Sequence, residues 1–171
     1  TPLFDVNGRL SFYRSPILWY FKAGTPAAPI GLGIDVWPLN ATAGAYFMTG
    51  QQLPPPVLPE AVQDFFNFTP NMVGNLAQDL GIGFMAGAHI AAEGDFTAVG
   101  TGLQVDVLCG ADLAMMSYEL CTCNGSTDFG INRWYAQGMA YLIGGARLTA
   151  FTADIASIQV GIMVEAAFPR P

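Results

Sequence analysis

His89, Glu93 and Asp95 sit at odd positions of one alternating segment, so in an extended chain they share a face. A histidine with two carboxylates is a donor set that can hold a divalent metal. His89 is the only histidine in the chain. The spacing matches no standard site, so the expectation is a polar or solvent-facing patch, with no metal and no cofactor. Four further carboxylates, Asp106, Asp112, Glu119 and Asp128, are near one another in sequence and read as acids flanking turns. Glycoside hydrolysis needs a carboxylate pair, and nothing in this spacing points to one.

The three cysteines, Cys109, Cys121 and Cys123, lie in one stretch. The C-x-C spacing is neither the C-x-x-C of a zinc knuckle nor that of a thioredoxin-like site. Cys109 can close a loop with either partner, which in an exported protein is a disulfide with one thiol left over; buried free thiols are the alternative. The aromatics Trp19, Tyr20, Trp37, Trp134 and Tyr135 are candidates for a sugar-stacking platform, although aromatics of this kind more commonly serve cores and interfaces. No G-x-S-x-G, P-loop or H-E-x-x-H occurs, and Gly31-Leu32-Gly33 lacks the rest of a dinucleotide fingerprint. The chain is therefore expected not to be an enzyme.

The elements that must position these residues read as strands. Residues 3–12 alternate, residues 17–23 are aromatic on both faces, and residues 30–36 alternate again before Pro38. Residues 43–48 form a short fourth strand. Residues 51–80 read as a proline-rich connector around Pro54-Pro55-Pro56 followed by short helices. The first opens at Pro59-Glu60 with Val62, Phe65 and Phe66 inward, and a second runs over 71–80. Period-two alternation then returns over 82–90, 103–113, 134–150 and 156–168. The segment 128–150, bounded by glycine and led by Trp134, reads as the centre of the sheet. The expected fold is all-β: an antiparallel meander of about eight strands, barrel-like or sandwich, with a short helical insertion near 59–80. Strict alternation nominates Val105, Val107, Leu113, Leu142, Ile158, Val160 and Ile162 as core, opposite Gln104, Asp106, Gln159 and Glu165.

Composition narrows the context. The 171 residues suit a single β-rich domain, and the two ends, Thr1-Pro2 and Arg170-Pro171, suggest a segment of a longer chain. Hydrophobic residues are 52% and charged residues 11%, against roughly 25% charged in a typical soluble domain. So little charge implies surfaces covered by neighbouring domains, identical subunits or lipid. The net charge is -7, and the basic residues are one lysine, Lys22, and five scattered arginines. No basic stripe exists to neutralise phosphates, which excludes nucleic acid as a partner.

The stretches AYFMTGQQLPPP (45–56), LGIGFMAGAHI (80–90), GINRWYAQGMAYL (130–142) and the terminal AAFPRP (166–171) together resemble a region of very large exported proteins of Bacteroidota. That region carries a "YFM-G…P-PP" segment, a "G-GFAFGA" strand, a cysteine before "GINGWYAQGQAYAYL", and a closing "LPNP". This chain has Arg133 where a glycine is usual. The resemblance implies export, a place at the cell surface or in the extracellular space, and a module within a longer chain; it carries over no catalytic residue. Export favours oxidation, so Cys109 is expected to bridge Cys121 or Cys123. The leading functional expectation is a non-enzymatic structural or assembly module of a surface protein or filament, its partners identical subunits or other domains of the same protein. The alternative is an adhesin-like module that binds surface glycans or another polymer. Alternation also fits an outer-membrane β-barrel, against which stand the proline-rich, helical middle and the lack of clear aromatic girdles.

Overall fold

A computed structural model describes residues 4–54, 57–67, 82–117, 134–151 and 153–168. Nine strands and one helix follow in the order β1 (Phe4–Asn7), β2 (Leu10–Arg14), β3 (Trp19–Ala23), β4 (Ile30–Val36), β5 (Leu39–Gly50), α1 (Glu60–Phe66), β6 (Ile82–Ala98), β7 (Thr101–Ser117), β8 (Trp134–Ala150) and β9 (Ala153–Phe168). All nine belong to one antiparallel sheet. From β4 to β9 each strand pairs with its successor, as expected of a meander. β1 pairs with β4 along one half of β5's neighbour position; β2 and β3 form a hairpin that occupies the other half, with β3 on β5. The expected first strand is thus two strands, divided at Gly8-Arg9, and the expected short fourth strand is the twelve-residue β5. The sheet does not close into a barrel: among the described residues β9 pairs only with β8.

Strand β5 ends at a position that only glycine can fill. Gly50 has φ +126°, and a β-carbon there would lie 2.5 Å from the Trp19 carbonyl oxygen and 2.6 Å from the Tyr20 Cα. The chain then turns across one face of the sheet. Pro59 precedes α1, Glu60 places an acid in its first turn, and Asn67 in the left-handed region ends it. The expected second helix over 71–80 lies outside the described residues, as do Cys121 and Cys123.

The register separates two faces. On the covered face, Leu58 and Val62 pack on Met139, Tyr141 and Ile143, with Phe65, Phe66, Leu108 and Met163 around them. Beside this, Tyr46, Met48, Leu53, Met85 and Ala114 form a second cluster. Methionine recurs because a flexible thioether fills the irregular gap between a pleated sheet and a short helix with its connector.

The other face is bare of any described element. It carries Leu103, Val105, Val107 and Leu113 of β7, Leu142 and Leu148 of β8, and Ile158, Val160, Ile162 and Val164 of β9, all exposed. The seven residues nominated as core by alternation do share one face, but it is this one; Val160 and Ile162 are 62% and 61% exposed. Period two can group residues by face, but it cannot say which face another element covers. From β5 to β9 the bare face carries no charged residue. A cross-strand row at one end brings Phe12, Phe21, Phe84 and Phe168 into line through Thr49, Met115 and Ala136. Phe96 lies toward the other end. Aromatics therefore do collect near the rims, which the linear sequence conceals.

Met48, fully buried, should lose about 2–5 kcal/mol of stability on substitution by alanine. Ile162→Ala on the bare face should cost well under half of that in the isolated chain. Urea midpoints of the two variants check the assignment of faces.

Candidate functional site: a polar cluster on the covered face

Four strands repeat one local pattern, Gly-Ala-polar, and three copies lie together: Gly44-Ala45-Tyr46 on β5, Gly87-Ala88-His89 on β6 and Gly110-Ala111-Asp112 on β7; the fourth, Gly145-Ala146-Arg147 on β8, sits beside Asp106. In an extended strand the glycine and the polar residue share a face, and the alanine takes the opposite one. The register then sets glycines beside large side chains. Gly44 pairs with His89, His89 with Gly110 and Gly110 with Tyr141; one row along, Tyr46 pairs with Gly87 and Gly87 with Asp112. Each glycine makes room for its neighbours. A β-carbon at Gly87 would collide with both Tyr46 and Asp112, one at Gly110 with the Tyr141 hydroxyl, and one at Gly44 with the His89 ring.

The side chains therefore lie down over the glycines and meet. The Tyr46 hydroxyl donates a hydrogen bond to Asp112 Oδ1 at 2.6 Å. Tyr46 and Tyr141 are buried, while Asp112 and His89 are partly exposed. The loop after β3 and the segment before α1 roof the cluster and leave a cavity of about 310 Å³. Its lining includes Pro26, Pro29, Leu58, Tyr46, His89, Asp112 and Tyr141. Burial pushes the Asp112 carboxyl above the ordinary carboxylate range, opposed by the Tyr46 hydrogen bond and by His89. Burial also raises Tyr46, with the Asp112 hydrogen bond and charge adding to it. Tyr141 is raised first by burial and then by the Asp112 charge. A second polar pair lies nearer the β8 start, where Gln137 Nε2 donates to Glu165 Oε1 at 2.5 Å.

The residues nominated from sequence distribute as follows. His89, Glu93 and Asp95 do share a face of β6, the covered one. They separate along it: His89 enters the cluster, Glu93 pairs with Asn40 and Asp106, and Asp95 pairs with Gln104. No group of three or more His, Cys, Asp or Glu side chains among the described residues could hold a metal ion. Asp106 and Asp112 are corrected from turn-flanking to mid-strand positions of β7; Glu119 and Asp128 lie outside the described residues. Cys109 is partly buried on the bare face of β7 and has no disulfide partner among the described residues; both proposed partners lie outside them. The aromatics do not assemble into a platform. Trp37 is 79% exposed at the β4–β5 turn, whereas Trp19 and Trp134 are at the opposite end, with β5, β6 and β7 between their strands. Tyr135 is on the covered face. Sequence reasoning does not join Asp112, Tyr46 and Tyr141 as a site; the recurring Gly-Ala-polar triplet is the signal that could have found them.

No protein-family model, no curated protein and no solved structure matches the chain.

Gly87→Ala should destabilise the fold by about 1–3 kcal/mol, since Tyr46 and Asp112 must both move; thermal or urea unfolding measures it. The pH dependence has a definite sign. With its folded value raised, Asp112 binds its proton more tightly in the fold than in the unfolded chain. Its contribution is full below the ordinary carboxylate value and is lost as pH rises through the folded one. Lowering pH from neutral toward the ordinary carboxylate range should therefore stabilise wild type relative to Asp112→Asn, as read from paired urea titrations at each pH.

Proposed function

We propose that this chain is a non-enzymatic structural module, exported and built into a larger assembly at the cell surface or outside the cell. The observation that carries the reading is that the sheet is unfinished in two directions. One direction is normal to the sheet. Seven strands lie abreast at either end, so the sheet is roughly 30 Å across and roughly 50 Å long, and its bare face spans on the order of 1,500 Å². Lone soluble proteins expose apolar patches of about 300–600 Å², and a lasting protein interface buries more than about 1,000 Å² in total. The other direction is lateral. The sixteen-residue β9 has no partner on its outer edge among the described residues, which leaves a long template for a further strand. The cover is a second copy of this chain or another part of the same large protein.

Small residues on the bare face support close contact with a second layer. The row Ala45, Ala88, Ala111 and Ala140 runs across four strands without a protruding side chain. Glycan binding has less support, because Trp19, Trp37 and Trp134 do not converge. An outer-membrane wall is the rival explanation of an apolar face with aromatic rims. Hydrocarbon, however, does not tolerate the open edge at β9 unless further strands pair with it.

Light scattering coupled to size exclusion in detergent-free buffer tests the reading. The expected result is a soluble oligomer that Ile162→Lys with Val160→Lys converts to a smaller species of unchanged circular dichroism. A soluble wild-type monomer that binds no hydrophobic dye would overturn it, one that binds dye would make another part of the protein the cover, and solubility only in detergent micelles would make lipid the cover.

A further inference from the structure

The cavity under the β3–β4 loop is a site in its own right, on the face opposite the one that carries the assembly reading. Its size, about 310 Å³, is at the lower end of small-molecule pockets. Its chemistry is one-sided. Among the described residues Asp112 is its only carboxylate, His89 is its only basic side chain, and neither lysine nor arginine lines it. Tyr46 satisfies Oδ1, and no described residue donates a hydrogen bond to Oδ2. Burial disfavours the charged form of Asp112, and the Tyr46 hydrogen bond and His89 offset this only in part, so a further cation beside it is favourable. Two tyrosine rings, both buried, stand against the same space, and aromatic faces attract cations. Beside His89, the rest of the described wall is proline, alanine, valine and leucine, which suit methylene or methyl groups. We propose that this cavity binds a small organic ammonium ion, its charge against Asp112 and its carbon groups between Tyr46, Tyr141 and the proline-lined roof.

The whole chain favours such a ligand over an anion, with a net charge of -7. A metal ion is a poorer fit, because no three metal-ligating side chains converge among the described residues. The three glycines explain how the site is made. Without Gly44, Gly87 and Gly110 the side chains of His89, Tyr46, Asp112 and Tyr141 would have to stand away from the sheet, and the cavity beneath the loop would close or open to water.

Titration calorimetry on the whole chain, with choline and 1,4-diaminobutane as probes and glucose as the neutral control, tests this. The expected result is millimolar or tighter binding of at least one amine, no measurable binding of glucose, and a loss of tenfold or more in Asp112→Asn. Glucose binding as tight as the amines, no amine binding, or undiminished amine binding by a folded Asp112→Asn would overturn it. Should that variant not fold, wild type alone decides. Nuclear Overhauser contacts from the carbon-bound protons of the bound amine to the Tyr46 and Tyr141 rings are expected, and their absence at saturation would overturn the proposal.

Discussion

Cross-strand register is the constraint on which this molecule depends. From β5 to β8 the ladders pair every glycine of the Gly-Ala-polar triplets with a large side chain on the next strand. A slip of one residue would send every side chain of a strand to the other face. It would turn Asp112 and His89 onto the apolar side and set alanine where glycine is needed. The long β6, β7 and β8 hold register through many consecutive hydrogen-bonded pairs, and the short Ala98-to-Thr101 turn fixes it between β6 and β7.

The covered face shows how a thin layer finishes a core. Among the described residues, one helix of seven residues and an extended connector cover it, against a sheet face of mixed side-chain sizes. Four buried methionines, Met48, Met85, Met116 and Met139, take up the mismatch. Where the cover thins to the β3–β4 loop, the sheet bears tyrosine, aspartate and histidine instead. These polar groups satisfy one another only in part, through the Tyr46–Asp112 hydrogen bond, and they enclose space rather than fill it.

The bare face and the covered face have different duties. The first is apolar, uncharged from β5 to β9 and wide, and it suits burial against another layer. The second is packed or polar and holds the partly buried Tyr46, His89, Asp112 and Tyr141 cluster. A module of this kind keeps both at once because alternation assigns them to opposite sides of the same strands.

Period-two alternation, glycine and proline punctuation and a short helical pattern indicated an antiparallel β-meander with helical structure after the connector, of which α1 is described. They also determined which residues share a face: Val105, Val107, Ile158, Val160 and Ile162 do lie together. Local pattern acts over neighbouring residues, so it carried this far. It did not decide which face would be covered. That choice rests on the path of the connector after Gly50, which brings Leu58 and Val62 onto Met139, Tyr141 and Ile143, far away in sequence. The same holds for the site. His89 was noticeable as a lone histidine, and the triplets around Tyr46 and Asp112 are plain in the sequence. Only pairing between strands up to 66 residues apart, as in the Tyr46–Asp112 bond, brought them together. Hydrogen-bond register is a property of two strands, and no single segment contains it.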